Sequence, residues 1–598
     1  MVDDYDHVSA VHARLSVARG FSVQMGFVGA SDDFSYALRF RANDVPTATT
    51  AVLLGLQQMM VCVSGLLVSP YIVSERACAG QAELSLRATL ISTTFVATGV
   101  STILQTTFGL RLAILQGPSF AFLPPLIAYF SDQSKQCKYG INDYVPEEEW
   151  LPKIQTVAGS LFIASLSLVV IGATGFVGTI AKNLGPVTIT PVILLLCISN
   201  VPLVIEKAQL HWISMAEYGF LIVFALYLSE WNVPFPTIRK NRLAVTRVRL
   251  FGEFPYLVAM ILAWLICFTM TVTDLEPEDG PARTDNNATL QTLYKAPWFN
   301  VPYPGQFGTF RFDTGLILGF IASCMCCLFE SLGNYDIVAK VSEEPTPDSA
   351  TTNRAIIVEG ASCAIAGAMG IGVGVTTYSE NVAVLKITRV ASRITLQLTG
   401  IFLITLGLFT KFGAAISTLP SAMIGGILGM GVSMIFGVGL SQLQYIDLKL
   451  SRNITIMGVA VIFGLCFSTF FEGAPLDTGY VEFDKVFNLL IRIRMFVGGI
   501  TAFFLDNTIG GASRRQRGLK EKASTHVLPL KSAERDGYAF PNFVNRLLLK
   551  ASLLSRLPFM PSKEKLERAL QVGNSENTTI SEEDNGLKNR YVATVKIS

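Results

Sequence analysis

Three carboxylates stand where the surrounding residues are almost all apolar. Glu330 closes the run in SCMCCLFESLGNYD (Ser323–Asp336), Glu359 lies in the next run, and Glu380 sits in TTYSENVAVLKITR (Thr376–Arg389) between two more. An acid at membrane depth costs roughly 3 kcal/mol or more and marks function by default. It can accept N–H donors from a polar solute, or carry a proton. We read Glu330 and Glu380 in this way. Glu359 is equally open to capping or bracing its neighbours, and Asp506, at the end of the last apolar run, reads as structural.

Little else in the chain suggests chemistry. The four histidines (His7, His12, His211, His526) form no metal or triad constellation. The ten cysteines show no zinc spacing. Cys324, Cys326 and Cys327 lie in an apolar run, where cysteine is a small packing residue. Cys137 lies in a polar loop with no evident partner. The glycines of GAMGIGVGV (Gly367–Val375) lack the strand–loop–helix context of a phosphate loop, and close helix packing explains them better. Neither an enzyme nor a resident cofactor is expected. A net charge of +2 does not suggest a nucleic-acid partner.

The elements that hold the acids are membrane spans. Of 598 residues 51% are hydrophobic and only 15% charged, against about 25% charged in soluble domains. Runs of about 20 apolar residues cross a bilayer as helices. They fall near 50–72, 84–106, 155–178, 187–204, 211–229, 254–273, 316–335, 354–372, 395–412, 418–440, 454–471 and 484–505. Two more runs, 110–130 and 373–392, are apolar but interrupted, which brings the expected count to fourteen. The basic stretches Thr237–Arg249 and Arg514–Lys522 put both termini on the cytoplasmic side. The opposite loops are acid-leaning, and one carries the sequon at Asn287. The sequons at Asn453 and Asn577 fall on the cytoplasmic side and are expected to be unused. The tail beyond about residue 507 is polar and is expected to be mostly disordered.

The interrupted runs are the third and the tenth, seven apart. Paired broken spans in two halves point to a transporter site at the junction of inverted repeats. Extended backbone is tolerated at depth only where protein or a cavity covers it. Gly117-Pro118-Ser119 and Thr376 to Ser379 therefore mark extended pieces, each followed by a half-helix aimed at the midplane.

These residues resemble the nucleobase–ascorbate transporter family, in its animal ascorbate and nucleobase branch. The family's tenth-span motif reads here as Glu380-Asn381-Val382-Ala383 with Thr388-Arg389, Ala383 replacing the usual glycine. Leu53–Gly65, Gln105–Pro125, Gly185–Pro191, Glu330–Asp336 and Met495–Gly511 resemble further family segments, so the likeness runs nearly the length of the chain. It implies an all-α polytopic membrane protein of fourteen spans in two inverted seven-span repeats, with short strands in the third and tenth spans. The expected parts are a cytoplasmic tail (1–49), a core domain (50–178 and 315–412), a gate domain (187–273 and 418–506), an extracellular loop (274–314) and a second cytoplasmic tail (507–598). It also implies a plasma-membrane homodimer working by an elevator-like movement.

By resemblance Glu330 and Glu380 bind substrate N–H groups, Ser119 and Phe120 present backbone and a stacking face, and Asn381 braces the tenth strand. Gln57 and Gln116 stand behind them. Glu or Gln at the first motif position accompanies nucleobases in the family, and Pro accompanies ascorbate. Electrostatics agrees: a second ionised carboxylate 4 Å from the ascorbate anion repels it by roughly 4 kcal/mol at an effective dielectric of 20. A nucleobase is thus the expected solute. L-Ascorbate and an uncoupled nucleobase facilitator are the alternatives, and a channel or anion exchanger of related fold is the rival class. Na+ or H+ is the candidate coupling ion. Yet Gln58 and Asn334 stand where relatives carry His and Asp or His, and an amide cannot titrate. Residues four apart share a helix face, so Glu330 and Asn334 are both expected to look into the site.

Overall fold

The computed structural model describes residues 38–131, 137, 139–140, 143–239, 242–278, 280–285, 287–519, 537–550 and 557–571. The helices that matter here are α1 (Ala48–Val61), α2 (Val63–Ala77), α3 (Glu83–Thr107), α4 (Leu123–Phe130), α5 (Glu147–Ala173), α6 (Pro186–Ala208), α7 (Ile213–Ile222) and α8 (Pro255–Val272). After a long loop come α9 (Thr314–Val341), α10 (Ser349–Met369), α11 (Ser379–Thr388), α12 (Arg393–Leu408), α13 (Ile424–Ser441), α14 (Ser451–Gly473), α15 (Val481–Arg492), α16 (Arg494–Thr508) and α17 (Asn542–Lys550).

By length and composition eight helices among the described residues can cross a membrane, or up to ten if each of two bent pairs counts as one span. The chain is thus a mostly helical, multi-pass membrane protein. Its apolar helices divide by burial. The window in α3 is 78% buried, whereas those in α8 and α14 are only 28% and 22% buried, so the latter two turn apolar side chains outward, as lipid contact requires.

Local chemistry sets the ends of the helices that carry the acids. Asp313 caps α9, its carboxylate accepting from Leu316 N at 2.9 Å, and Asp348 caps α10 from Thr351 N at 3.0 Å. Gly370, at φ 79°, ends α10 in the left-handed region that glycine enters without strain. Around them α5 packs on α10, α3 on α12, and α9 on α5; separately, α6 packs on α13 and α16, and α14 on α16.

Both interrupted runs are broken as expected. Strand β1 (Gln116–Pro118) precedes a 3₁₀ turn and α4, and strand β4 (Val375–Thr377) precedes α11. The two strands pair antiparallel, Gln116 opposite Thr377 and Pro118 opposite Val375. Ser119 N donates to Gly374 O at 2.9 Å and Tyr378 N to Leu115 O at 3.0 Å, which extends the pairing past both ends.

Several expectations need correction. The fold is not all-α beyond this crossing: the basic loop holds a hairpin of β2 (Val233–Arg239) and β3 (Arg242–Val248), joined residue for residue. The runs at 395–412 and 484–505 are not straight spans, because each bends by 79°, at Phe409 and at Ile493. The tail is partly ordered. Tyr538 and Phe540 are buried, Phe540 lying 4.4 Å from the Arg354 guanidinium and 5.3 Å from that of Arg111. Arg393 donates to Gly537 O at 2.7 Å, and Lys565 to Asp348 at 2.7 Å. Burial pushes the Asp348 carboxyl up, but hydrogen bonds from Lys565 and Thr351 prevail and hold it below the usual carboxylate range. Cys137 has a partner: it forms a disulfide with Cys78, 59 residues earlier. Asn453 is buried, its amide donating to Asp447 O and Gln516 O. The Asn287 side chain and Asn577 lie outside the described residues.

Candidate functional site

The crossing of β1 and β4 leaves a cavity beside it. Its wall takes Pro118, Ser119 and Phe120 from the first broken segment, Thr376, Tyr378 and Glu380 from the second, and Glu330 from α9. Gly65, Leu196 and Ile435 close it from α2, α6 and α13. Its volume is only ≈10 Å³. That is room for about one water, so a larger solute enters only if the walls move.

Tyr378 accounts for much of the closure. Its hydroxyl donates to Pro118 O at 2.8 Å and its ring lies over Gly65 and Gly117. A β-carbon on Gly65 would meet the hydroxyl at 1.8 Å, and one on Gly117 would meet the ring at 2.7 Å. The two glycines are what let the ring in.

The expected site residues separate into two groups. Glu330, Glu380, Ser119 and Phe120 line the cavity together. Glu380 is in the first turn of α11, where the helix dipole favours an anion. Ser119 caps the turn after β1, accepting from Ala121 N at 3.2 Å, and Cys327 Sγ donates to its hydroxyl at 3.3 Å. The second group holds the broken segments in place. Asn381 Nδ2 donates to Gln58 O at 2.8 Å and to Gln58 Oε1 at 2.7 Å, tying α11 to α1. Gln116 Nε2 donates to Thr377 Oγ1 at 2.8 Å. Gln57 is buried in α1. Thr388 and Arg389 end α11, away from the cavity: Thr388 Oγ1 donates to Val384 O, and the Arg389 carbonyl accepts from Arg39 N at 2.9 Å. The Ala383 side chain lies outside the described residues.

Asn334 is not in the cavity wall. Both amide N–H bonds are taken, one by Thr377 O and one by Ser379 Oγ, each at 3.0 Å. Four residues along a helix is one turn deeper, and at that depth α9 meets β4 rather than open space. Glu359 braces. It accepts from Ser331 at 2.7 Å, Tyr335 at 2.8 Å and Thr376 at 3.2 Å, joining α9, α10 and β4. Asp506 is fully buried and receives Arg452 at 2.7 Å and Arg517 at 2.9 Å.

Two features escaped the sequence reading. Tyr378 is one of several polar residues in Thr376–Asn381, and only the glycines across from it reveal its place. Glu217 in α7 is fully buried with no hydrogen-bond partner for either carboxyl oxygen among the described residues. An acid inside an apolar run was the available signal, the same one that marked Glu330.

The geometry joins comparisons with known proteins. The solved structure of the transmembrane domain of BicA, a cyanobacterium bicarbonate transporter, aligns with 71% of this chain and 97% of its own, at 14% identity and TM-score 0.39. That is too low to support an argument. Sequence relatives say more. Human "Solute carrier family 23 member 2" is 35% identical over 89% of this chain and 84% of its own, and mouse "Solute carrier family 23 member 1" is 33% identical over 88% and 89%. "Nucleobase-ascorbate transporter 12" of Arabidopsis thaliana is 25% identical over 85% and 75%. The permease family described by its xanthine/uracil permease pattern matches residues 49–473. With that span and those identities, the chain belongs to the xanthine/uracil permease family of membrane transporters, and is not an enzyme.

Proposed function

We propose that the chain carries a nucleobase across the plasma membrane by alternating access at the cavity between β1 and β4. The observation that supports this choice of solute is that two carboxylates, Glu330 and Glu380, line one small cavity. A base offers ring N–H donors to carboxylates, and its carbonyl oxygens accept from N–H and O–H donors. Phe120 supplies an apolar face for the ring.

L-Ascorbate is the second reading, and relatedness favours it. The relatives of highest identity named above belong to solute carrier family 23, and the plant relative's name joins both solutes. The resemblance to the family's animal ascorbate branch weighs toward ascorbate and the paired carboxylates toward a base. Uptake of labelled uracil, xanthine, hypoxanthine and ascorbate into cells expressing the chain, beside Glu380→Pro, decides between them. Base uptake lost in the variant at unchanged surface expression supports the two-carboxylate site. Ascorbate uptake with no base uptake overturns it.

The rest of the scheme is proposed on the same footing: fourteen spans in two inverted repeats, with α1–α5 and α9–α12 as a core and α6–α8 and α13–α16 as a gate. The separate packing of those two sets supports the division. The Cys78–Cys137 disulfide needs an oxidising compartment, which supports placing that end outside and the basic segments inside. A homodimer through the gate and a glycan at Asn287 belong to this scheme. Coupling to Na+ or H+ is read by uptake with and without sodium and across pH. A flat response to both would identify a facilitator.

A further inference from the structure

A second cavity lies two turns from the first along the same three helices. The first takes Leu196 from α6, Glu330 from α9 and Ile435 from α13. The second takes Ile189 from α6, Gly333, Asp336 and Lys340 from α9, and Gln442 and Tyr445 just past α13. Ile189 and Gln442 are each seven residues from Leu196 and Ile435, about 10 Å along a helix axis. The displacement has one direction: back along α6, forward along α9 and α13. It leads toward the segment after α16, whose Gly518 also borders this cavity. Its volume is ≈40 Å³, four times that of the first cavity, so it holds a few waters and, like the first, takes a larger solute when its walls move.

Its wall is built for a polar solute. Gln442 is 3% exposed, and its amide Nε2 has no hydrogen-bond partner among the described residues. A buried amide donor left in this way is rare in folded proteins. Opposite stands Gly333: a β-carbon there would lie 3.8 Å from Gln442 Nε2 and 3.3 Å from Ile189 Cγ2. Glycine thus leaves the space between Ile189 and Gln442 clear. Asp336 lies in the same wall, and Lys340 Nζ lies 3.6 Å from the centre of the Tyr445 ring, a cation–π contact between α9 and the turn after α13. The unpartnered amide donor, in a wall that also carries charged and aromatic groups, suits a small polar molecule with a carbonyl oxygen.

We infer that this second cavity is an inner binding station for the transported solute, in which Gln442 Nε2 donates to a carbonyl oxygen of the solute on its way between the central cavity and the inner face. The inference rests on the proposed carrier function for the identity of its ligand, but not for its existence as a polar cavity. A station on the inner side affects solute arriving from within and leaves capture from outside to the central cavity.

Two measurements on the full chain test it. In membrane vesicles, Gln442→Leu should raise the half-saturation for exit about fivefold, the weight of one neutral hydrogen bond, and leave the entry KM unchanged. Gly333→Ala, which adds a methyl between Ile189 and Gln442, should slow exit in the same direction, while Glu330→Gln should impair entry and exit alike. Equal effects of Gln442→Leu on entry and exit, or no effect on either, overturn the station. The second measurement does not need transport. Gln442→Cys, in a background with the exposed Cys466 replaced by Ser, is treated with a polar thiol reagent from the inner side, with and without saturating uracil or ascorbate. Labelling slowed by either solute supports the station. A thiol that does not react, or that reacts at the same rate with solute present, overturns it. If the wild type carries neither solute while one of them slows labelling, the carrier reading fails and the station stands.

Discussion

Gly65→Ala is a one-carbon test of how the site is closed. The new methyl would sit 1.8 Å from the Tyr378 hydroxyl oxygen and 2.9 Å from the carbon that bears it. Ordinary contact is about 3.5 Å, so the hydroxyl must retreat by about 1.7 Å. The 2.8 Å hydrogen bond to Pro118 O does not survive that shift. The lost hydrogen bond, about 1 kcal/mol, and the crowding of the ring by the methyl, about 1 kcal/mol more, come to about 2 kcal/mol, or roughly thirtyfold in the population of the intact arrangement. Initial uptake per surface copy should fall by about that factor, with the loss in the rate or the KM according to which state needs the ring. Tyr378→Phe removes the same bond without the collision and should cost about 1 kcal/mol, some fivefold. The two changes share one contact. In the Tyr378→Phe background the methyl meets only the ring carbon at 2.9 Å, so Gly65→Ala should cost about 1 kcal/mol less there. Wild-type uptake in Gly65→Ala, or strictly additive losses in the double variant, refutes the account.

Three further outcomes follow from groups away from the cavity. Cys137→Ser opens a loop closed across 59 residues, and in the chain-entropy account removes up to ~4 kcal/mol of stability; a melting temperature insensitive both to the substitution and to reductant contradicts this. Asp506→Ala leaves Arg452 and Arg517 facing each other without their shared carboxylate and should cost about 3–5 kcal/mol, seen as loss of folded protein on detergent extraction, while an unchanged yield and melting temperature would show the cluster to be dispensable. Glu217→Leu replaces an unpartnered buried acid with an apolar side chain of similar size and should stabilise by about 1–3 kcal/mol without altering uptake. Loss of uptake in a well-folded variant would instead make Glu217 part of the transport cycle.

The parts legible in the sequence were those where one residue type breaks the rule of its surroundings. Glu330 and Glu380 stood out because charge in an apolar run is expensive, and the extended pieces because Gly117-Pro118 cannot continue a helix. What escaped depends on residues far apart meeting. Cys78 ends an apolar helix, and nothing local points it to Cys137. Asn334 shares a turn-to-turn stripe with Glu330, yet its amide is consumed by Thr377 and Ser379 on another segment. Glu359 offered no sign of choosing bracing over function until three hydroxyls from two elements were found on it. The bends at Phe409 and Ile493 fall on residues that are neither Gly nor Pro, so those runs read as straight. The tail looked merely polar because its few aromatics, Tyr538 and Phe540, find their apolar and cationic partners on α10 and beyond.

The three-residue pairing of β1 with β4 bears on how the protein is made. Gln116 and Thr377 are 261 positions apart. At about 5–20 residues per second a ribosome needs tens of seconds to supply the second strand after the first. Throughout that interval the backbone of Gln116–Pro118 lacks the partner it has in the finished protein, in a solvent that cannot replace it. The first broken segment must therefore wait outside the hydrocarbon, or under a chaperone, and can take its place only late. Chains truncated before Val375 should leave Gln105–Phe130 open to protease or thiol reagents in microsomes, whereas chains reaching past Thr388 should protect it. Equal protection in both would mean that the half-site inserts alone. On this reading, premature stops between codons 119 and 374 yield a product that quality control can recognise by one unpaired strand.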